Sequence, residues 1–385
     1  MEYIKNKEIK NKTVILRSDL NVTIKEGKII DDTKIKKSLE TLEYLLENNN
    51  KVIMMSHLGK VKNEEDKTKN TLYPVYIRIK ELLKYNIYFS KSTRGTELEE
   101  TIKNANFKEV ILIENTRHED YPEKLESVCD NELSKYWASL ADVFVNDAFG
   151  TSHRKHASTY GIKNYIESYY GFLINEEKEK LDELIYTKEK PFTVIMGGAK
   201  VEDKLKLIKE LLSICDYLIV GGGIANTFMY AKEYEIGKSL VSKDNIEEIK
   251  SLLKKFNDKI ILPIDFYVEN NKTKIYRNLN QIEKEDIIYD IGEVTINKYK
   301  EIINNSKIVF INGTVGLYED ERFRNGTINM LKILSESNAK TFVGGGDAVS
   351  SINKLGFSGK LYYESTGGGA TLEYIIDKKL AALED

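Results

Sequence analysis

The chain predicts an α/β protein of two doubly wound parallel-sheet domains. Short β-branched runs alternate with amphipathic helical segments from end to end, the pattern of parallel strands joined by crossover helices. Four glycine clusters, each after an apolar strand-like run, fall in the second half, whereas the first half has isolated glycines only. At 385 residues the chain exceeds one ordinary core and suits two.

In the first half the strand candidates are Thr13–Leu16, Val52–Met55, Ile87–Phe89, Val110–Ile113 and Val143–Val145. Between the first two, Lys34–Leu46 has helical periodicity through Ile35, Leu39, Leu42, Leu45 and Leu46. Asn175–Leu181, charged and periodic, reads as a connecting helix ahead of Pro191. The second half repeats the alternation with Phe192–Met196, Tyr217–Val220, Ile260–Leu262, Ile287–Ile288, Ile308–Ile311 and Thr341–Val343. Segment Asn270–Asn278 breaks the rhythm and reads as a small hairpin.

Hydrophobic residues at 41%, charged residues at 31% and a net charge of −3 describe an ordinary globular chain with no global attraction for nucleic acid or anionic membrane. No apolar run approaches the roughly 20 residues of a membrane span, and Met1–Lys12 lacks a signal-type apolar region. Cys129 and Cys215 stand alone, without Cys-x-x-Cys spacing. The expectation is a cytoplasmic protein.

In open α/β sheets ligands bind beyond the carboxyl ends of the strands. Four such ends in the first half carry Arg17-Ser18-Asp19-Leu20-Asn21, Ser56-His57-Leu58-Gly59-Lys60, Glu114-Asn115-Thr116-Arg117 and Asn146–His156 with Arg154. All four histidines, 57, 118, 153 and 156, lie here. Gathered on one edge, these residues make a cationic cup for a small, doubly anionic metabolite, with Asp19 and Asn21 accepting from a hydroxyl. In the second half Gly197-Gly198 leads to Lys200 and Lys204, four apart and expected on one helix face for phosphate. Asp347, after Gly344-Gly345-Gly346, reads either as a helix N-cap or as the carboxylate of a phosphate-bound magnesium. The Walker pattern, the dinucleotide fingerprint, a kinase-type His-Arg-Asp and a nucleophile elbow are all unmet.

In order, Arg17–Val22, Ser56–Gly59, Glu114–Arg117, Asp147–Arg154, Gly197–Val201, Gly221–Phe228, Leu262–Asp265, Asp290–Gly292, Gly344–Asp347 and Ser365–Ala370 give the chain its family likeness. It resembles phosphoglycerate kinase nearly end to end. The resemblance implies two Rossmann-like domains facing across a cleft and closing by a hinge: 1–170 with the returning segment 366–385 for phosphoglycerate, and 171–365 for nucleotide. It implies reversible phosphoryl transfer between ATP and the carboxylate of 3-phosphoglycerate, giving 1,3-bisphosphoglycerate and ADP, with Mg2+, by a monomer. Carried over by position, Asp19, Asn21, Lys34, His57, Lys60, Arg117 and Arg154 bind phosphoglycerate. Gly198, Lys200, Lys204, Gly222, Asn312, Glu319, Gly345, Gly346, Asp347 and Ala348 bind the nucleotide, with Glu319 on the ribose and Asp347 on the metal. Lys34, Lys200 and Lys204 are the expected catalytic residues.

The departures from the family pattern are specific. Lys34 stands where the family has its catalytic arginine, Lys60 replaces another arginine, Val61 replaces a proline, and Ile311 and Thr314 flank Asn312-Gly313. Ala348 replaces a hydroxyl residue. Lysine keeps charge but loses the planar fork of arginine, so reduced efficiency is expected rather than loss of activity. Two other readings stand beside the kinase: a catalytically weakened binding or regulatory paralogue, and a Rossmann oxidoreductase, which the missing fingerprint weakens.

Overall fold

Strand Thr13–Ser18 buries five of its six residues because both faces of its sheet are covered. Val14 and Leu16 join one apolar cluster and Ile15 the other. The neighbouring strands divide the same way: Val52 and Met54 against Ile53 and Met55, and Val110 and Leu112 against Ile111 and Ile113. A period of two thus becomes a continuous apolar run in sequence. The structure is a computed structural model that describes residues 1–384; Asp385, the last residue of the expected returning segment, lies outside the described residues.

The chain divides into two units, the first made of Met1–Glu179 with the segment from Lys379 onward, the second of Lys180–Lys378. Expected borders at 170/171 and 365/366 differ from these for physical reasons. Helix Phe172–Ile185 carries the chain through the division. Helix Gly369–Asp377 stays with the second unit, burying Ala370, Thr371, Tyr374 and Ile375, with the Tyr374 hydroxyl donating to Asp182 at 2.7 Å. Only beyond it does the chain join the first unit, where Ala382 N donates to Ser152 O at 2.8 Å and Tyr170 donates to Leu383 O at 2.7 Å.

The first unit holds a seven-stranded sheet in the order Glu2–Tyr3, Ser168–Tyr170, Val143–Asp147, Thr13–Ser18, Lys51–Met55, Val110–Ile113, Ile87–Ser90, every neighbouring pair parallel. Helix Thr33–Glu47 covers one face through Ile35, Leu42, Leu45 and Leu46. Asp147, at the end of its strand, accepts from Ile174 N at 3.2 Å in the first turn of helix Phe172–Ile185, and burial pushes its carboxyl up to about 7.

The second unit holds a six-stranded parallel sheet, Ile260–Ile261, Tyr217–Val220, Phe192–Met196, Ile308–Asn312, Lys340–Val343, Tyr363–Glu364. The expected hairpin at 270–278 is longer, pairing Asp265–Asn270 with Thr273–Asn278. Ile287–Ile291 adds to that hairpin antiparallel instead of joining the parallel sheet. Its burial alternates over Ile287–Asp290, the mark of a strand with one covered face, where the central strands Phe192–Met196 and Ile308–Asn312 of the parallel sheet are buried throughout.

Candidate functional sites

In the first unit the strand order reverses between Thr13–Ser18 and Val143–Asp147, where Arg17 and Ser18 pair with Asn146 and Asp147. Such a switch point is where an α/β sheet opens a ligand crevice. Arg17 sits there fully buried. Its Nε donates to Ser158 Oγ at 2.9 Å, Nη1 to Ser18 O at 2.5 Å, and Nη2 lies 3.3 Å from His57 Nδ1. Burial first, and the Arg17 charge next, hold His57 well below the ordinary histidine value, so its imidazole is neutral at pH 7. Asp19 is also buried, and Lys34 Nζ donates to its Oδ2 at 2.8 Å. Burial pushes the Asp19 carboxyl up, but Lys34, His57 and Arg17 together outweigh it and hold the group below its ordinary value. Asn21 turns its Oδ1 to Gly59 N at 2.9 Å, and its own N donates to Asp19 Oδ1 at 3.2 Å.

Arg117 follows Val110–Ile113 on a short 3-10 turn. Its Nη1 donates to Asp120 Oδ2 at 3.1 Å and to Ser127 Oγ at 3.0 Å, while its buried Nε has no hydrogen-bond partner. His153 Nδ1 is likewise buried and unpartnered. Burial, then Arg117, Arg17 and Arg154, pull His156 down to about 3. Arg17, Asp19, Lys34, His57, Arg117 and His156 therefore form one electrostatic cluster. Arg154 and Lys60 are exposed beside it. His118 stands apart: burial lowers it, and its charged neighbours are Glu114 and Lys67. The expected gathering of all four histidines is corrected to three, because the groups acting on His118 are Glu114, Lys67 and Asn70 and none of the arginines of the cluster. With carboxylate acceptors, neutral imidazoles and unsaturated donors, the cluster suits a small polyanion carrying a hydroxyl.

In the second unit the switch point lies between Phe192–Met196 and Ile308–Asn312. A cavity of about 130 Å³ opens there, lined by Lys204, Asn312, Gly313, Gly345, Gly346, Asp347 and Leu372. Lys204 Nζ donates to Gly197 O at 2.7 Å, and burial, opposed by Asp347 and Asp203, brings its ammonium down to about 8. Asn312 Nδ2 donates to Gly344 O at 2.6 Å, leaving Oδ1 buried and unpartnered. Gly345 has φ +93°, and a Cβ there would lie 2.3 Å from Asn312 Nδ2, so only glycine fits. Helix Gly346–Leu355 starts beyond it without a side-chain cap, so its first-turn N–H groups serve the cavity.

Three expectations are revised by this geometry. Lys200 and Lys204 do not share a helix face: Glu202–Lys204 is a 3-10 turn, helix Leu205–Ile214 begins after it, and Lys200 lies exposed in the preceding loop. The glycines at 197–198 and 221–222 spend their N–H groups internally, on Asn312, Thr314, Met196 and Val315 carbonyls, so of these clusters it is the one at 344–346 that opens to the cavity. Asp347 is not the N-cap, a place held by Gly345, and its carboxylate is exposed at the cavity. Gly198, Gly222 and Glu319 lie outside the cavity lining, and Ala348 faces the core with Ile311 and Ile352. Arg17 stands among the strand-end residues expected to form the cationic cup, but the family resemblance assigns it no ligand role. The signal for its weight is an arginine at the end of an apolar run, which has to be paired where the sheet is covered on both faces.

The family profile described as Phosphoglycerate kinase matches residues 4–378. Relatives named Phosphoglycerate kinase include one from Listeria welshimeri, 45% identical over 97% of this chain and 96% of its own, and one from Macrococcus caseolyticus, 43% identical over 98% and 96%. Among solved structures, phosphoglycerate kinase from Coxiella burnetii superposes with a TM-score of 0.86 at 33% identity, over 99% of this chain and 97% of that one. The Pyrococcus horikoshii OT3 enzyme gives 0.87 at 32% identity, over 100% and 98%.

Proposed function

The chain belongs to the phosphoglycerate kinase family, kinases of glycolysis, and on that premise we propose how its two units divide the work. The first unit takes 3-phosphoglycerate or 1,3-bisphosphoglycerate on Asp19, Asn21, Lys34, His57, Lys60, Arg117 and Arg154. The second takes ATP or ADP on the cavity of Lys204, Asn312, Gly345, Gly346 and Asp347, with Lys200 and Glu319 beside it. The observation that carries this reading is the buried cluster around Arg17, Asp19 and Lys34, where the buried Arg117 Nε is a donor without a partner and calls for an anion.

The substrate carboxylate is already ionised at pH 7, so the reaction needs no general base. Positioning and charge neutralisation remain. The ionised Asp19 and the Asn21 amide orient the substrate hydroxyl, and Arg117 and Arg154 hold its anionic ends. Lys200 and Lys204 neutralise nucleotide phosphates, and Lys34 meets the phosphoryl group at the carboxylate. Lys34 must first leave Asp19, its partner at 2.8 Å.

Among the described residues no three His, Cys, Asp or Glu side chains gather for a metal, and Asp347 is the single carboxylate at the cavity. One carboxylate fits a cation carried mainly by phosphate oxygens and water, as Mg2+ is. Asp347 would hold it, and it would supply charge neutralisation to the phosphates. The reading also makes the chain a cytoplasmic monomer without nucleic-acid or membrane partners; no helix among the described residues is long and apolar enough to cross a membrane.

The test is acyl phosphate formation from 3-phosphoglycerate and MgATP, trapped with hydroxylamine. Turnover that requires both substrates is expected; a folded chain that binds both without forming the acyl phosphate would contradict the reading. The curated relatives quoted above all carry the kinase name, and no observation favours the weakened paralogue.

A further inference from the structure

We propose that Glu126 is a positioning residue of the phosphoglycerate site, its buried carboxylate locking Arg17, Arg117 and the segment His156–Ser158 into one arrangement. The inference rests on the site reading above. Glu126 is fully buried and lies on none of the strand ends that carry the expected site residues. Its Oε1 accepts from Ser158 Oγ at 2.5 Å and from Thr116 Oγ1 at 3.2 Å, its Oε2 accepts from Ser158 N at 2.9 Å, and its backbone O accepts from Ala157 N at 3.0 Å. Thr116 precedes Arg117, and Ala157 follows His156. These two bonds, from Thr116 and Ala157, each fix a residue adjacent in sequence to one in the cationic cluster.

The third link is a relay. Ser158 Oγ also accepts from Arg17 Nε at 2.9 Å. Burial pushes the Glu126 carboxyl up, and the Arg17 charge and the bonds from Ser158 draw it back down in part. Arg17 can only donate, so Ser158 Oγ accepts from it, and the one hydroxyl proton of Ser158 is directed to the Glu126 carboxylate. Burial lowers Arg17, and Glu126 is the foremost charge opposing it. Arg17 in turn places a guanidinium nitrogen 3.3 Å from His57 Nδ1. A carboxylate that touches no ligand thus sets the pose of Arg17, the charge beside His57, and the entry of two loops.

Glu126→Gln keeps the size but turns one oxygen into an NH2 donor. That donor must face the Ser158 hydroxyl, the Thr116 hydroxyl or Ser158 N, so one link fails. The expected result is a KM for 3-phosphoglycerate raised about tenfold, with KM for MgATP and kcat within about threefold of the native chain. Ser158→Ala cuts the relay alone and is expected to raise the same KM about threefold. The double variant should be no worse than Glu126→Gln, since the two act as one unit. Merely structural damage lowers the active fraction without splitting the two KM values. The proposal is overturned if folded Glu126→Gln leaves the phosphoglycerate KM within twofold, if the MgATP KM rises by the same factor, or if the double variant is additive. Should Glu126→Gln not fold, an unchanged KM in Ser158→Ala overturns it. Arg117→Ala separates the premise from the inference. An unchanged phosphoglycerate KM there removes the site reading and the inference with it, whereas a raised KM in Arg117→Ala beside an unchanged one in Glu126→Gln removes the inference alone.

Discussion

Lys34→Ala should slow turnover by roughly 10- to 150-fold while leaving the nucleotide KM unchanged. The magnitude follows from the contact removed. Lys34 is part-exposed, with its ammonium 2.8 Å from the buried Asp19 carboxylate, and in the proposed reaction it transfers that donor to the moving phosphoryl group. One charge-assisted hydrogen bond made in the transition state is worth about 1.5–3 kcal/mol, which gives the quoted factor in kcat. Loss of an arginine finger can reach about 10³–10⁵, so a single ammonium is expected to fall short of that range. The variant has a second signature: with Lys34 gone, Asp19 loses its largest opposing charge, so its carboxyl rises from its depressed position. Lys34→Arg restores two donors in a plane and is expected within about tenfold of the native rate. The assay is steady-state turnover of 3-phosphoglycerate with saturating MgATP, alongside circular dichroism to confirm folding. A folded Lys34→Ala chain with kcat within twofold of native would refute the role given to Lys34.

Other expectations concern stability and pH. Asp147 is pushed by burial to about 7, so between about pH 4 and 7 the folded chain binds a proton that the unfolded chain has lost, and stability falls as pH rises through that window. Asp147→Asn keeps the acceptor for Ile174 N without the charge; its urea midpoint should fall less than the native midpoint from pH 4.5 to 7.5, and an equal fall would refute this. Lys204 is brought to about 8, so ADP affinity should weaken by up to about tenfold per pH unit above that value, whereas Lys204→Arg should be flat to pH 9 by calorimetry. Gly345→Ala would force a side chain to φ +93° and to within 2.3 Å of Asn312 Nδ2. A loss of about 1–3 kcal/mol in urea unfolding, with weaker ADP binding, is expected, and unchanged values would show that the turn has another conformation open to it.

Much of the sheet architecture was legible because the strands are buried on both faces. Val110–Ile113, Phe192–Met196 and Tyr217–Val220 have the expected bounds, since a continuous apolar run has no polar positions to blur its ends. Ile287–Ile291 is misplaced for the converse reason: an edge strand of a small antiparallel sheet, partly covered, offers only Ile287, Ile288 and Tyr289 before Asp290 interrupts the run. The site was legible at strand ends, where Asp19, His57 and Arg117 stand in local motifs. It was not legible where function depends on which donor is already used. Nothing in Gly197-Gly198 or Gly221-Gly222 announces that their N–H groups are spent on neighbouring strand ends and on the loop at Thr314 and Val315, while Gly345-Gly346 lines the cavity. Glu126 was invisible for a similar reason, since it lies in a loop and meets Arg17 only through Ser158.

The division of ligands between the units is tested most directly by amide hydrogen exchange with one ligand at a time. With 3-phosphoglycerate alone, protection should concentrate at 17–21, 57–60, 115–117 and 150–158; with MgADP alone, at 198–204, 312–319 and 345–348. Protection of the 345–348 turn by 3-phosphoglycerate with the Arg17–Asn21 segment left unchanged, or the reverse with MgADP, would contradict the account.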